Sequence, residues 1–214
     1  RKQLYNSISS NAHHMSGIML DFGCGRRPYQ DLMFVNKYLG LDIEESGAEK
    51  KHKSADIYYD GKIIPLDSNY LDSLFSTEVF EHVFNISEVL SEINRVLKVG
   101  GKMLLTIPFA WPEHEIPYDY ARYTSFGIKD LLNKHGFSII KHEKTGSYVE
   151  MIFQMMLIYI TQSLTPSNKY ASLLMQIFIL GPIACVGVLF NKVFPKNSNY
   201  YLNNVVVAVK RNQL

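Results

Sequence analysis

The sequence predicts an α/β fold in which a doubly wound, mostly parallel sheet of seven strands carries helices on both faces. Apolar segments of strand length alternate along the chain with helical patterns, as in consecutive βαβ units. Apolar residues make up 47% of the 214 residues and charged residues 20%, which is enough for a full core. A short apolar segment near the end of the chain predicts that the chain returns to the same sheet.

The predicted strands are short apolar segments, several of which end in glycine, proline or an acidic residue. In chain order they are residues 17–22, 37–42, 54–59, 71–76, 102–108, 137–142 and 203–211. Because crossovers between parallel strands are right-handed, the carboxyl ends of these strands share one edge of the sheet, where ligands of open α/β sheets bind. Four chemically suggestive side chains are expected to converge there: Asp21, Asp42, Asp60 and Thr77.

The helix after the fourth strand has the clearest signals. Asn85 with Glu88 three residues later is typical of a capping box, and Gly100–Gly101 is expected to end the helix. Shorter helices are predicted over residues 2–13 and 126–135. The helix after the fourth strand also has one apolar stripe at helical spacing, made of Val89, Leu90, Ile93, Val96 and Leu97.

Composition and charge exclude several classes of protein. Cys24 and Cys185 are too few for a disulfide framework or a multi-cysteine zinc site, and they favour a reducing, cytoplasmic compartment. Residues 1–14 lack the apolar region of a secretory signal peptide. All 20 acidic residues lie within residues 1–150, where the net charge is −3, whereas residues 151–214 have a net charge of +5. Because no dense Lys/Arg stripe is present, we expect no nucleic-acid partner.

A hydrophobic segment interrupts the alternation before the last strand. Residues 151–168 and 170–191 carry no charge, and Lys169, Lys192 and Lys196 flank them as interfacial anchors would. Three roles are open for residues 151–192: peripheral contact with the inner face of a membrane, a homodimer interface or lid, or additional core. A membrane-spanning helix is disfavoured because the last strand must return to the sheet. Gly181–Pro182 suggests a chain reversal within the second run.

A glycine turn follows the first predicted strand, in Asp21-Phe-Gly-Cys-Gly25. Glycines at this position let a ligand approach the backbone closely. A dinucleotide fingerprint requires a third glycine at position 28, where this chain has Pro28. A nicotinamide-dependent oxidoreductase is therefore the weaker interpretation.

Several motifs in order resemble those of class I S-adenosylmethionine-dependent methyltransferases, in particular the type 11 subgroup. The glycine turn, the acidic end of the second strand in Tyr38–Ile43, and Ser76–Val83 followed by Ile93–Gly101 carry the resemblance. It covers about residues 15–145 and the last strand. The segment from Pro108 to Thr124 is similar to that of bacterial members associated with cell-surface polysaccharide or lipid-linked sugars. Arg27, where many members have glycine, and the hydrophobic segment depart from the pattern.

The resemblance implies a cofactor site for S-adenosyl-L-methionine. Asp42 would accept the ribose hydroxyls and Ile43 would pack on adenine, and Asp60 with Gly61 would hold the adenine edge. Asp21, Gly23 and Gly25 would hold the methionine part, and Thr77 and Glu78 would lie near the sulfonium. Alone, Asp42 could equally cap a turn, and Asp60–Gly61 could be only a turn signal.

A carboxylate–histidine cluster follows the fourth strand, in Glu78, Glu81 and His82. If this segment is helical, its spacing places all three side chains on one face. The pattern is similar to the metal-binding pattern of some quinone-precursor and RNA-end O-methyltransferases. Three roles are open: the cluster could stabilise the strand-to-helix turn, it could bind a metal ion, or His82 could act as a base. We favour stabilisation of the turn over a metal site.

The loop 109–123 after the fifth strand is long and rich in aromatic and ionisable residues, as loops that close over substrates often are. His114 is the second candidate base, and Tyr123 is a third candidate catalytic residue. Tyr118, Tyr120 and Arg122 could bind a polar acceptor, or the same side chains could only pack the loop onto the domain.

The sequence therefore predicts a cytoplasmic methyltransferase. Residues 1–150 form the cofactor-binding core, residues 151–200 a hydrophobic helical insertion, and residues 201–214 the final strand. The expected reaction is O-methylation of a small or lipid-linked polar acceptor in cell-surface glycan or lipid biosynthesis. The alternatives are a metal-assisted methyltransferase of the quinone-precursor type, the oxidoreductase, and a membrane-associated binding module without catalysis.

Overall fold

The computed structural model describes residues 2–43 and 54–212, and it has the predicted α/β architecture. The chain forms two compact units, one of residues 1–143 with 203–214 and the other of residues 144–202. Seven strands form one sheet in the order β3-β2-β1-β4-β5-β7-β6. They are β1 Ile18–Phe22, β2 Lys37–Ile43, β3 Ile57–Tyr59, β4 Leu71–Thr77, β5 Leu97–Pro108, β6 Phe137–Thr145 and β7 Asn203–Lys210.

The strands pair as a mostly parallel sheet. All pairs among strands β1 to β5 are parallel. Strand β7 lies antiparallel to β5, with Lys102 opposite Val209. The predicted return of the last strand to the sheet is confirmed. Because the β1–β5 carboxyl ends share one edge, the turns that follow β1, β2 and β4 lie close together.

Helices in the larger unit cover both faces of the sheet. The helices are α1 Lys2–Asn11, α2 Ile86–Val96 and α3 Ser125–Lys134, and 3-10 turns form at Ala12–His14, Gln30–Leu32 and Phe80–His82. One buried cluster includes α2 and α3, and the other includes Ile8 of α1. The predicted stripe of α2 is confirmed, because Val89, Leu90, Ile93 and Val96 are at most 1% exposed.

Two predictions about the ends of α2 are wrong. Asn85 does not accept a capping hydrogen bond, because its amide donates to the Gly61 carbonyl and to Glu88. The helix ends at Val96 instead of at the glycines, because Leu97 already pairs with β4. Gly100, with φ of +78°, lies in an irregularity of β5, where the register shifts before the next pair.

The smaller unit consists mainly of apolar helices. They are α4 Tyr148–Leu164, α5 Lys169–Met175 and α6 Gly181–Val193, with a π-helical turn at Gln176–Leu180 joining the last two. Ser147 and Glu150 form a capping box at the start of α4. Gly187 lies so close to Phe153 that a Cβ atom there would be 2.7 Å from the Phe153 ring. This small residue therefore lets α6 approach α4 closely.

The predicted reversal at Gly181–Pro182 is wrong, because α5, the π-helical turn and α6 run on as one helix over Lys169–Val193. Proline is tolerated there because it occupies the first turn of α6. The π-helical turn before it is wider than an α-helical turn and accommodates the absence of an N–H group on the proline. The chain reverses instead between α4 and α5. The Lys169–Val193 helix is long and apolar enough to cross a bilayer, with a mean hydropathy of 2.4, and only 11% of its most apolar stretch is buried.

Candidate functional site

The glycine turn after β1 is bonded to the end of β2. The Gly23 and Cys24 N–H groups donate to the Leu41 carbonyl at 2.8 and 3.1 Å. The Gly25 N–H donates to Asp42 Oδ2 at 3.1 Å, and the other oxygen of that carboxylate accepts from the Ile43 N–H at 2.8 Å. Asp42 is 8% exposed, so the carboxylate is fixed against the turn by backbone donors.

The glycines of this turn have separate structural reasons. Gly23 has φ of +72° and packs against Val79, where a Cβ atom would lie 2.5 Å from a methyl group. Gly25 has φ of +48°, and no heavy atom of residues 2–43 or 54–212 lies within 4 Å of the position that its Cβ would take. The backbone at Gly25 is therefore open on one side, as close approach of a ligand requires.

Asp21 is buried beside this turn and carries an unsatisfied oxygen. Tyr38 donates a hydrogen bond to Asp21 Oδ2, whereas Oδ1 has no hydrogen-bond partner among the residues that the structure describes. Burial raises the pKa of Asp21 to about 6, although Tyr38 and Arg27 favour its charged form. A buried carboxylate oxygen without a partner favours a cationic ligand group at this position.

Arg27 is a feature whose role the sequence did not indicate. Its φ of +54° is in the left-handed region, which glycine adopts most easily. Its guanidinium pairs with Asp56 at 2.7 Å and lies 5.5 Å from the centre of the Tyr38 ring. Gly40 makes room for it, because a Cβ there would be 2.7 Å from the guanidinium.

Asp60 and Gly61 form a turn at the end of β3. Asp60 Oδ1 accepts from the N–H groups of Lys62 and Ile63 at 2.9 and 3.1 Å, and these bonds lower the pKa of Asp60. Gly61 has φ of +80°, and none of the residues that the structure describes has a heavy atom within 4 Å of its Cβ position. The turn interpretation describes these contacts, and an adenine contact stays a prediction.

Glu78, Glu81 and His82 do not share a helical face, so that expectation is wrong. Glu78 has φ of +52°, and only Phe80–His82 forms a single 3-10 turn. Glu78 instead joins a hydrogen-bond chain at the end of β4, in which Thr106 donates to it at 2.7 Å and pairs with Thr77 at 2.8 Å.

Asn203 donates to the second oxygen of Glu78 at 2.7 Å, so both carboxylate oxygens are bonded within the sheet. Burial raises the pKa of Glu78 to about 7. Thr77 and Glu78 therefore lie at the expected edge, but β5 and β7 orient them. A contact with the cofactor sulfonium stays a prediction.

Glu81 is the centre of a second cluster. It is fully buried, and neither of its carboxylate oxygens has a hydrogen-bond partner in the described part of the chain. Burial, with the charge of nearby Glu78, raises the pKa of Glu81 to about 9. His82 Nε2 lies 3.8 Å and His114 Nε2 4.0 Å from Glu81 Oε1, so the structure brings the two candidate bases together.

The loop after β5 is hydrogen-bonded to the backbone of Glu81. The N–H groups of Tyr120 and Ala121 donate to the Glu81 carbonyl at 2.8 and 3.2 Å. Asp119 and Arg122 form a two-bond ion pair, which lowers the pKa of Asp119 to about 2. In the sequence, the i, i+3 spacing of Asp119 and Arg122 is the signal that could have indicated this ion pair.

Tyr123 is half-buried and packs against the core. Burial and the charge of Glu81 raise its pKa. At neutral pH its phenol can therefore donate a hydrogen bond but does not act as a base.

Comparisons with known proteins identify the domain and the fold that this chain resembles. Residues 20–105 match the family model described as a methyltransferase domain. A Mycolicibacterium smegmatis protein named "Probable S-adenosylmethionine-dependent methyltransferase" is 29% identical over 104 residues, and the match covers 45% of this chain and 40% of that protein. The chain therefore spans well under half the length of this curated relative.

Two solved structures share the fold. The [4+2]-cyclase SpnF has a TM-score of 0.58 at 15% identity, over 98% of this chain and 81% of the other. An S-adenosylmethionine-dependent methyltransferase from Mesorhizobium loti has a TM-score of 0.55 at 14% identity, over 95% and 98% of the two chains. The antiparallel β7 between β5 and β6 also differs from the all-parallel dinucleotide-binding sheet, which disfavours the oxidoreductase alternative.

Proposed function

Because residues 20–105 match a methyltransferase-domain model and a relative is named as a probable S-adenosylmethionine-dependent methyltransferase, we propose that the chain uses S-adenosylmethionine to methylate a hydroxyl group of a small or lipid-linked polar acceptor. The observation that carries this proposal is the open glycine turn whose Gly25 N–H is bonded to Asp42. S-adenosylmethionine would supply an activated methyl group on its sulfonium.

The residues around the turn fit this cofactor. The unsatisfied oxygen of Asp21 suits the ammonium of the cofactor's methionine part. The open backbone at Gly25 leaves room for the part of the cofactor between the ammonium and the ribose. Asp42 would accept from the ribose hydroxyls while it keeps its bond to the turn. Ile43, with Asp60 and Gly61 in the turn after the neighbouring strand β3, would border the adenine.

The residues after β4 and in the loop would orient the acceptor. His82 Nδ1 is bonded to the Tyr118 carbonyl, so this nitrogen is the donor and Nε2 carries the lone pair. His114 has the same arrangement, with Nδ1 beside Asp119 and the Pro112 carbonyl. In the proposed reaction the acceptor oxygen bonds to the methyl carbon as the carbon–sulfur bond breaks. The hydroxyl proton leaves to an Nε2 or to water.

The apolar helices support an acceptor at a membrane surface. Large apolar side chains are exposed along the Lys169–Val193 helix, among them Leu174 at 55% and Phe178 at 70%. The smaller unit carries its only acid at Glu150 and has lysines at 144, 169, 192 and 196, which suits an anionic lipid surface. We propose that this surface contacts lipid peripherally and that a second copy of the chain is the alternative occupant.

The methyltransferase proposal is tested by adding methyl-labelled S-adenosylmethionine to the full chain with extracted lipids and glycans. Label is expected in a polar product of the wild-type protein and is expected to be lost in Asp42→Ala. If the wild-type protein binds S-adenosylhomocysteine but labels no acceptor fraction, methyl transfer is refuted and the binding-module alternative stands.

The membrane proposal is tested by flotation with phosphatidylcholine–phosphatidylglycerol vesicles. The double variant Leu174→Glu with Phe178→Glu is expected to float several-fold less than the wild-type chain, because it places two charges on the lipid-facing surface. Phe34→Glu is the matched control, since Phe34 is 92% exposed in the larger unit. Equal flotation of all three proteins would refute lipid contact, and light scattering then shows whether the double variant has lost a dimer.

A further inference from the structure

We propose that Glu81, His82 and His114 form a binding site for a divalent transition-metal ion such as Zn²⁺. The proposal rests on the proposed function and deepens it, because the site adjoins the region where the acceptor would bind. When the ion is bound, both Nε2 atoms are ligands, and the acceptor's proton leaves to water. One carboxylate and two imidazoles are the donor set of many sites that hold three protein ligands and keep a further position open.

The unsatisfied carboxylate of Glu81 is the first observation that points to a ligand. A carboxyl group that is 0% exposed and has no hydrogen-bond partner among the described residues leaves a large desolvation cost uncompensated. A cation that binds both imidazoles would offset this cost, since ion and carboxylate would be neutralised together.

The spacing of the donor atoms is the second observation. The three ligand atoms lie within 4.8 Å of one another, and each imidazole Nε2 is about 4 Å from the same oxygen, Glu81 Oε1. A tetrahedral ion with bonds of about 2.1 Å places its ligands roughly 3.4 Å apart. Small rotations of His82 and His114 would therefore complete the coordination.

The hydrogen bonds around the imidazoles prepare both rings for a metal. In each ring Nδ1 is turned to an oxygen acceptor, so the Nε2 lone pair faces Glu81. Asp119 lies 3.2 Å from His114 Nδ1 and also accepts the backbone N–H of the same residue at 3.0 Å. A carboxylate behind a metal-binding imidazole is the usual outer-sphere partner of such sites.

Glu78 is not a ligand in this arrangement. Its two oxygens are bonded to Thr106 and Asn203, and the left-handed backbone directs it to β5 and β7. The ligand set therefore includes the loop residue His114 in place of Glu78. Magnesium and calcium are disfavoured, because they prefer all-oxygen ligands.

The site is tested by equilibrium dialysis of the full chain, stripped with chelator, against Zn²⁺ without cofactor or acceptor. One equivalent is expected to bind, and each of the variants Glu81→Gln, His82→Ala and His114→Ala is expected to weaken binding at least 100-fold. Asp119→Asn is expected to weaken binding about 10- to 100-fold, as loss of an outer-sphere partner does. Circular dichroism and thermal unfolding of the metal-free variants show whether each remains folded.

Two controls separate this site from other histidines and from Glu78. The double variant His13→Ala with His14→Ala removes another pair of adjacent imidazoles, in the 3-10 turn after α1, whose ring centres are 4.1 Å apart. It is expected to bind Zn²⁺ like the wild-type chain, and Glu78→Gln, which removes a nearby charge but no ligand, is expected to weaken binding far less than Glu81→Gln.

The proposal is refuted if the wild-type chain binds no Zn²⁺, or if folded His114→Ala binds as tightly as the wild-type chain. In the first case Glu81 is a buried, protonated acid. Cofactor binding, measured separately with S-adenosylhomocysteine, is independent of either result.

Discussion

Proton-linked cofactor binding at Asp21 tests the proposed cofactor site. The cationic ammonium of the cofactor would pair with the ionised carboxyl, whose pKa in the free protein is about 6. Between pH 5 and pH 7 the ionised fraction of such a group rises from roughly 0.1 to 0.9, so affinity is expected to increase about tenfold. Above pH 7 the affinity is expected to level off.

The other groups around Asp21 do not titrate in this window. Burial raises the pKa values of Tyr38 and Cys24 into the alkaline range. Arg27 favours the charged form of Asp21, and the Asp42 charge opposes it. Glu78, the acid expected near the sulfonium, has a pKa of about 7, so the Asp21→Asn variant is needed to assign the component with a midpoint near 6 to Asp21.

The assay is calorimetric titration of S-adenosylmethionine at several pH values, with Asp21→Asn as the matched variant. The asparagine keeps an oxygen that can accept from Tyr38, but it cannot ionise, so the component of the pH dependence with a midpoint near 6 is expected to disappear. Tyr38→Phe removes a bond that favours the charged form and is expected to move the midpoint to higher pH. A flat wild-type profile, or an unchanged slope in Asp21→Asn, would refute the reasoning.

The stability of the cofactor-free protein provides an independent check of the same group. The pKa of Asp21 in the folded chain lies above its unfolded value of 3.8, so the folded state binds this proton more tightly. The Asp21 contribution is fully present below about pH 4 and is lost as pH rises through 6, a decrease of about 3 kcal/mol in the free energy of unfolding. Denaturant titrations of wild type and Asp21→Asn measure this difference.

Three further predictions concern the site and the two units. Asp42→Ala is expected to weaken S-adenosylhomocysteine binding at least tenfold, because it removes the acceptor of the Gly25 N–H and of the ribose; unchanged affinity by calorimetry would contradict the assignment. Thr124→Ala is expected to lower the free energy of unfolding by about 1 kcal/mol, since Thr124 accepts the Gly127 N–H at the start of α3, and Thr124→Ser should retain most of it. Gly187→Val is expected to destabilise the smaller unit by about 1–3 kcal/mol through overpacking, and protease sensitivity confined to that unit would reveal it.

Local patterns in the sequence were sufficient for the main elements. The alternation of apolar strands and amphipathic helices predicted the sheet, and the period of the α2 stripe identified its buried face. The return of Asn203–Lys210 to the sheet followed from its apolar composition. The glycine turn and Asp42 were also placed correctly, because the ends of neighbouring parallel strands meet at one edge.

Competing partners decided the features that the sequence misassigned. Asn85 has a capping residue's chemistry, but the Gly61 carbonyl, 24 positions earlier, takes its amide. The α2 helix ends before Gly100 because pairing of Leu97 with Leu71 begins the strand sooner. Local spacing does not contain these distant partners.

The composition of the site was determined by the sequence, and its arrangement by the tertiary structure. The residue types that are able to bind a nucleoside, an ammonium or a metal ion are visible in the sequence, because their chemistry belongs to single side chains. Bringing Glu81 within about 4 Å of His114, 33 positions later, required the loop after β5 to be bonded onto the turn after β4. Likewise, only burial among Tyr38, Arg27 and Asp42 shifts the pKa of Asp21, because desolvation and charge depend on neighbours in space.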